Sequence, residues 1–419
     1  DITITGNIGD TLALTTLKIN DGAGNGSIAF TVPQIGGGGA QGVTGAVTLG
    51  NTGSGDITFA GSGANAFDIG GKLTVTSDGG ADAFQFSGNN PTITADGGIE
   101  FVSGNGGDDG ITLTDEKDLT LTANAADITV TSVVGVAGNT GEDLTITITQ
   151  NAATGGTVTV GAISTDINDV NITAPTIKLG GNITTELDGG DAASIDLNGD
   201  VVVNASTVTL TTGNGTIDFS DNVNSAASAG NNLTIVSGTG TAVFNDAIGT
   251  GTNGALGTLT VNSAGTGNIT FNSDADVGTT SVAGASRILI GNAATGTLAL
   301  DGSFYTSSGG DSTNAAQIYT ADAFTMSGTD PDFHSAATAA AIKFVDGAAS
   351  DIVLSNSADL TIQTNNGLID IEPQIKGTGD DTNTDIVLNA SGSSLGSGAV
   401  ITLDNPGLSL IHISEPTRP

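Results

Sequence analysis

Short triplets recur in this sequence about every 26 residues. Each consists of two apolar residues separated by one residue, which is usually polar. One series in the middle of the chain has starts 25, 26 and 29 residues apart, at Val208, Leu233, Leu259 and Ile288. A second series follows it by 9 or 10 residues each time, at Ile217, Ala242, Ile269 and Leu298. Because alternation with a period of two is typical of a strand with one buried face, each triplet predicts a short strand.

The same interval appears elsewhere along the chain. Similar triplets 25 or 26 residues apart open at Leu119, Leu144, Val170 and Ile195, at Val47 and Leu73, and at Leu360 and Ile386. A period of this length with two or three strands per repeat is typical of a solenoid, in which stacked coils bury one another's apolar residues. We therefore predict an all-β fold over residues 1–407, a right-handed parallel β-helix (β-solenoid) with coils of about 26 residues. This corresponds to about 16 coils and a length on the order of 75 Å.

A string of small β-sandwich domains is the alternative, because it also contains short alternating strands. Sandwich domains repeat at longer intervals, and many of them carry an aromatic core residue. This chain has 65 Gly, no Trp and only two Tyr, Tyr305 and Tyr319, which favours the solenoid. The repeat is least regular over 307–349, where we expect a longer excursion, and the stretch with most helical character is 337–344.

The charge of the chain limits its partners. It has 8 basic and 44 acidic residues, a formal net charge of −36. Nucleic acids and anionic lipids are recognised by clusters of Lys and Arg, so we expect neither as a partner. The absence of Cys excludes disulfides and thiolate metal sites and favours an exported protein. No run reaches the roughly 18 apolar residues of a membrane helix, so we expect no direct membrane insertion.

Both ends of the sequence predict a fragment. It begins at Asp1 rather than Met, so a signal peptide would lie upstream. The last twelve residues, 408–419, read LSLIHISEPTRP and lack the Gly-, Thr- and Asp-rich composition of the rest of the chain. Back-translated, they resemble the transposase adapter used to prepare DNA libraries. We therefore expect 408–419 to be a non-native tail, whose His412, Glu415 and Arg418 carry no function.

Two kinds of Asp-containing segment suggest calcium. The segment Asp381-Thr-Asn383-Thr-Asp385 resembles the start of a calcium loop, but Ile386 occupies the Gly position and Gly392 the position of the final acid. The segments 78–82 and 106–109 resemble isolated copies of calcium-binding Gly/Asp repeats. In each case the alternative is an ordinary polar turn. We assign no metal ligand, and calcium remains the one cofactor to consider.

Two further groups of side chains suggest catalysis or metal binding. Asp330, Asp332 and His334 occupy alternate positions and would face one way on a strand, although Pro331 favours a loop. Asp370 and Glu372 flank Ile371, and both carboxylates would face solvent if Ile369 and Ile371 point inward. A glycosidase also needs a cleft and sugar platforms, which nothing here indicates. A polysaccharide lyase needs clustered bases, but Lys178, Arg287 and Lys343 are scattered. We expect no catalytic or cofactor-binding residue.

The phrases Leu256-Gly-Thr-Leu-Thr-Val-Asn262 and Ile269-Thr-Phe-Asn272 resemble repeats of large bacterial adhesins, the filamentous-haemagglutinin-like and autotransporter-passenger proteins. The resemblance covers most of residues 1–407 and rests on residue composition and repeat length. It implies secretion through the Gram-negative envelope to the cell surface. It also implies a part in adhesion, aggregation or biofilm matrix, with glycans or proteins of a host or neighbouring cell as partners.

Three functions follow from the sequence. The first is a structural or adhesive stalk without catalysis, carried by the repeat. The second is a calcium-binding matrix or surface-layer-like protein, suggested by the charge and the Asp/Gly turns. The third is a β-helical polysaccharide-degrading enzyme, which requires clustered carboxylates and aromatic residues on one face.

Overall fold

The structure is a computed structural model. It describes residues 1–9, 12–19, 26–31, 35–37, 40–51, 56–60, 66–77, 84–87, 90–103, 110–114, 117–136, 141–149, 155–164, 166–186, 192–226, 229–252, 254–262, 264–311, 313–327, 330–347, 350–378, 384–390 and 400–403. The described residues contain strands and turns but no helix, and so none that could cross a membrane. The chain divides into two units, Asp1–Val201 and Val202–Pro419.

Each unit is a parallel β-solenoid. The coil spacing is about 26 residues and the described residues make about 12 turns, so the predicted fold class is confirmed. The one antiparallel strand pair among those described is Gly36–Gly37 with Ala40–Gln41.

The strands of the first unit are short at its beginning and longer towards its end. They are Ile2–Ile4, Leu17–Ile19, Ile28–Phe30, Gly36–Gly37, Ala40–Gln41, Val47–Asn51, Ile57–Phe59, Ala66–Ile69, Leu73–Ser77, Phe84–Phe86, Thr92–Ala95, Ile99–Ser103, Ile111–Leu113, Leu119–Ala123, Ile128–Val134, Glu142–Ile148, Thr157–Ser164, Ile167–Leu179, Ile183–Thr184 and Ala193–Val203.

The strands of the second unit have three to seven residues. They are Thr207–Thr211, Asn214–Phe219, Val223–Ser225, Asn232–Val236, Ala242–Phe244, Leu256–Val261, Ile269–Phe271, Ala285–Gly291, Thr297–Leu300, Phe304–Ser307, Gln317–Ala321, Ala323–Met326, Asp332–Thr338, Ile342–Asp346, Asp351–Leu354, Leu360–Asn365, Leu368–Ile371, Gln374–Gly377, Ile386–Asn389 and Val400–Leu403.

The periodic triplets of the sequence stack in register. In the second unit, Leu259 pairs with Leu233 on one side and with Ile288 on the other. The second series stacks in the same way, with Ala242 pairing with both Ile217 and Ile269. A column is used below for such a set of equivalent positions in successive coils. Because one coil cannot cover its own apolar side chains, the columns provide the core of each unit.

The columns bury the side chains that the alternation predicts to face inward. Leu259 and Phe271 are 0% and 1% exposed, whereas Thr260, between the inward Leu259 and Val261, is half-buried. Phe244 stacks on Phe219 and on Phe271 with ring centroids 5.0 and 4.7 Å apart. In the first unit, Phe59 stacks in the same way on rings in the preceding and following coils. Identical side chains therefore repeat along a column.

The turns bring backbones of successive coils close together. A Cβ atom on Gly267 would lie 1.5 Å from the carbonyl oxygen of Gly240 in the neighbouring coil. No side chain fits at that distance, so the close approach requires Gly here. The frequency of Gly in the sequence thus reflects tight stacking at such corners.

The segment 307–349, where a longer excursion is expected, contains strands that stack in register and one register shift, between Ser335 and Thr338. Strands Gln317–Ala321 and Ile342–Asp346 pair in register within it, and Tyr319 stacks on Phe344. The helical expectation for 337–344 is wrong, because this stretch contains the end of strand Asp332–Thr338, a turn, and the start of the next strand. Ala339 forms that turn with a positive φ of 63°. A run of Ala resembles a helix in composition, but here Ala340 and Ala341 are buried just before the next strand and Ala336 is exposed.

Candidate functional site

The outward surface of the first unit carries a column of stacked carboxylates, Asp118, Asp143 and Asp169, here called the carboxylate ladder. Oδ1 of Asp118 accepts a hydrogen bond from the backbone N–H of Asp143 at 3.2 Å, and Oδ1 of Asp143 accepts one from Asp169 at 3.1 Å. Oδ1 of Asp169 accepts the N–H of Ser194 at 2.7 Å. Each carboxylate therefore fixes the start of a strand in the next coil.

The negative charge of Asp143, the central carboxylate of this ladder, is unfavourable in the folded protein. Burial raises the pKa of Asp143 above its ordinary value of 3.8, and the negative charges of Asp118 and Asp169 raise it further. The hydrogen bonds from Asp169 N–H and Asn168 lower the pKa but do not cancel the rise. A site of this kind attracts protons or cations, because both reduce the repulsion between neighbouring carboxylates.

The raised pKa gives a prediction for stability against pH. The folded state binds the Asp143 proton more tightly than the unfolded state does, so this group's contribution is complete below pH 3.8 and is lost as pH rises through the folded pKa. Asp143→Asn keeps an oxygen acceptor and carries no charge. We expect the variant to be more stable than wild type at pH 7, and the difference to shrink as pH falls towards 4 in circular dichroism melts.

Asp311 provides a control, because its pKa shift is opposite in sign to that of Asp143. Its pKa is lowered because its carboxylate accepts hydrogen bonds from Thr313 and Asn314. Asp311→Asn should therefore be less stable than wild type at pH 7, again with a difference that shrinks in acid. A constant difference between Asp143→Asn and wild type at every pH would contradict the role given to Asp143.

The first predicted ligand group, Asp330, Asp332 and His334, is divided between a strand and the residues before it. Asp332 and His334 lie on the outward face of strand Asp332–Thr338 on either side of the buried Phe333. Burial raises the pKa of Asp332, and His334 partly offsets the rise. Asp330 lies before the strand, and its Oδ1 accepts the backbone N–H of Asp359 at 3.0 Å. Asp330 thus contributes to coil stacking, and Pro331 lies before the strand rather than within it.

The second predicted pair is engaged in contacts between coils. Ile369 and Ile371 are buried, as the alternation predicts, and Asp370 lies on the opposite face. Its Oδ2 is 3.3 Å from Nζ of Lys343 in the preceding coil, and Glu372 accepts the backbone N–H of Asp346 at 3.0 Å. The two carboxylates therefore have different structural partners rather than a common substrate position.

The remaining predicted positions are only partly described. Asp385 donates its backbone N–H to Asp359 at 2.6 Å and precedes strand Ile386–Asn389. The rest of the expected calcium segment, 381–383 with Gly392, lies outside the described residues, as do 78–82, 106–109 and the tail 408–419. Among the described residues no group of three His, Cys, Asp or Glu side chains could hold a metal ion.

The carboxylate ladder was missed by sequence reasoning, although it has a signal. Asp118, Asp143 and Asp169 are 25 and 26 residues apart, the interval of the strand triplets that follow them. A second ladder of Asp330, Asp359 and Asp385 in the other unit shows the same device. Asp residues that recur at the coil interval, each just before a strand triplet, therefore indicate side chains that stack on one another in successive coils.

Comparison with known proteins adds no family to this description. No protein-family model matches the sequence, and neither the curated proteins nor the solved structures give a match. What the geometry defines is the class: a repeat protein of the parallel β-solenoid type with polar and acidic outward faces.

Proposed function

We propose that the chain is a structural or adhesive stalk segment of a large exported bacterial surface protein, acting without catalysis. The observation that carries this proposal is the in-register stacking of the strand triplets. Each described coil adds inward residues to the same columns. The fold can therefore lengthen by repetition and present similar outward surfaces many times. Such a device suits spacing and multivalent attachment at a cell surface.

The charges support an extracellular partner of neutral or basic character. Among the described residues, Lys72 forms an ion pair with Glu100, Lys343 with Asp370 and Lys376 with Asp351, each in a neighbouring coil. These cations thus serve stacking and do not form a basic patch. The excess of 36 negative charges repels nucleic acid and anionic membranes. Glycans or proteins of host or neighbouring cells are the partners we propose.

Display on a bacterium that does not aggregate tests this function. We expect cells that carry the chain on an outer-membrane anchor to sediment faster, or to attach better to glycan- or protein-coated surfaces, than cells with the anchor alone. Leu259→Asp, which should unfold the second unit, serves as a folding control, and Thr260→Asp as its matched neighbour. Equal attachment by all displayed forms and by the bare anchor would contradict the adhesive role.

A calcium-binding matrix protein is the second candidate. The described residues contain no group of three metal ligands, and the observation that favours this candidate is the repulsion between the stacked carboxylates of the ladder, which a cation would reduce. A ligand that binds only the folded state stabilises it by about 2.7 kcal/mol at a hundred times its dissociation constant. For a stalk without calcium sites we expect the same melting midpoint with calcium and with chelator at equal ionic strength. A higher midpoint in calcium that Asp143→Asn abolishes, and that Asp311→Asn, a change outside both ladders, preserves, would instead establish the second candidate.

A further inference from the structure

One Phe ring of the chain points outward. The sequence has 13 Phe, two Tyr and no Trp, and twelve of the Phe and both Tyr are buried. The remaining one, Phe304, lies on the outward face of strand Phe304–Ser307 and is partly exposed. Phe is among the residue types most often buried in folded proteins. Its ring is therefore the one Phe or Tyr surface that this chain offers to a ligand.

The backbone on both sides holds this ring in place. The N–H of Phe304 donates to Oδ1 of Asp276 in the preceding coil at 3.0 Å, and its carbonyl oxygen accepts the N–H of Val277 at 2.7 Å. On the other side, Phe304 pairs in register with Asp332 of the next coil. A ligand does not have to order this segment, and this lowers the cost of binding.

Four polar side chains lie beside the ring on the same outward face. Asp332 and His334 lie two residues apart on the next strand, and Thr361 and Gln363 pair with them in the coil after that. All four are half-buried. Neighbours in adjacent coils are about 4.8 Å apart, and neighbours along a strand about 6.7 Å apart, from the strand spacing and twice the rise per residue. The Phe304 ring and these four side chains are here called the Phe304 patch.

The polar groups of the patch are not used inside the fold. In the described part of the chain, the side chains of His334, Thr361 and Gln363 make no hydrogen bond. Oδ1 of Asp332 is shielded from solvent and accepts no hydrogen bond there either. Burial raises the pKa of Asp332, and His334 partly offsets the rise. A ligand hydroxyl group that donates to this carboxylate would stabilise its charge.

We propose that the Phe304 patch binds a neutral sugar ring of a cell-surface glycan. A pyranose ring has an apolar face of C–H groups, which packs on an aromatic ring, and hydroxyl groups at its edge, which donate and accept hydrogen bonds. The patch offers both kinds of contact side by side. Asp332 within it, and Asp330 and Asp359 at the strand starts next to it, repel an acidic sugar. The proposal rests on the adhesive function proposed above and narrows its glycan partners to neutral ones.

Two other occupants fit the patch less well. A stable protein interface buries about 1,200–2,000 Å² around several apolar anchors. This patch offers one ring among polar groups, with Val387 as the next apolar side chain along its column. A metal ion needs more ligands than Asp332 and His334 provide, and no group of three ligands lies among the described residues.

A glycan array tests the proposal. The fluorescently labelled full chain is applied to immobilised neutral oligosaccharides of hexoses and N-acetylhexosamines, and to the same oligosaccharides extended with sialic or uronic acid. We expect binding to neutral glycans and little to their acidic counterparts. Equal or stronger binding to the acidic set, or no binding on the array, would overturn the proposal.

Single substitutions locate the site. Phe304→Ala removes the ring and should weaken binding of the best neutral glycan by about tenfold or more, and Gln363→Ala should weaken it less. The matched control is Gln85→Ala, because Gln85 is an outward residue between the buried Phe84 and Phe86 on a face without an outward ring. Circular dichroism melts report folding; if Phe304→Ala unfolds, Phe304→Leu replaces it. Unchanged binding by the Phe304 variant would overturn the assignment.

The array and the display assay separate this proposal from the adhesive function. Displayed cells that attach to protein-coated surfaces, together with a silent array, would refute the sugar site and leave the adhesive function standing. Binding on the array by a chain whose displayed form attaches to no surface would support the site and contradict the adhesive role.

Discussion

Replacing Leu259 by Asp is expected to unfold the second unit, whereas the same change at the adjacent Thr260 is expected to be mild. Leu259 is 0% exposed and lies between Leu233 and Ile288 in its column. The substitution removes about 2 kcal/mol of apolar burial and places a carboxylate in a site without a cation. A carboxylate there must bind a proton or draw water into the core, and the combined cost of several kcal/mol is a large part of a unit's stability.

Thr260 is the matched control because only the direction of its side chain differs. It lies one residue along the same strand, between Thr234 and Leu289 on the outward face. A carboxylate there stays hydrated, so we expect a change within about 0.5 kcal/mol. Urea unfolding followed by circular dichroism, with hydrogen exchange of strands Asn232–Val236 and Ala285–Gly291, measures both variants. Similar losses at the two positions would show that the inward and outward faces are wrongly assigned.

The sequence predicts the strands and their faces because both depend on a local pattern. An apolar residue on each side of Thr260 indicates which side chains point inward, and the 26-residue interval indicates which strands stack. The stacking of Leu119, Leu144 and Val170 was predicted in this way, and the structure pairs these residues in consecutive coils. A solenoid is unusually predictable because its long-range contacts repeat at one sequence separation.

The polar contacts were not predictable by the same reasoning. Asp143 and Asp169 resemble ordinary turn residues, and their roles depend on which backbone N–H groups the next coil presents. Glu142 is fully buried at a position that pairs with Ile167, where the pattern predicts an apolar residue. Gln317 likewise occupies the inward column between Ile288 and Ile342. The alternation identifies apolar inward positions and therefore overlooks the polar ones.

Gln317 lies at the centre of a buried hydrogen-bond network in the second unit. Its side-chain Nε2 donates to the carbonyl oxygens of Tyr305 and His334, at 2.7 and 2.9 Å, and to Ser307 Oγ at 3.0 Å, so two N–H bonds serve three acceptors. Its Oε1 accepts the hydroxyl proton of Tyr319 at 3.0 Å. Gln317 and both Tyr residues are 0% exposed. The network explains why Tyr319 occurs in an otherwise aliphatic and Phe-based core, whereas the Tyr305 hydroxyl accepts the backbone N–H of Gly302 at 3.1 Å.

Gln317→Leu is therefore expected to destabilise the unit by about 3 kcal/mol or more, although Leu restores the apolar pattern. The change leaves buried carbonyl oxygens and the Tyr319 hydroxyl without the amide, and each such loss costs about 1–3 kcal/mol. Tyr319→Phe removes one bond and should cost less. Because the two residues share that bond, the double variant should lose less than the sum of the single changes, by about 0.5–3 kcal/mol.

Urea unfolding of the four proteins gives the double-mutant cycle, and hydrogen exchange of strands Gln317–Ala321 and Asp332–Thr338 locates the effect. The result that would contradict the network is a Gln317→Leu variant as stable as wild type. Replacing a buried polar group by an apolar one of similar size can stabilise a protein when the partners also find new contacts. Here the partners include the carbonyl groups of Tyr305 and His334, which are fixed by strand pairing and cannot turn towards water, and so we expect the loss.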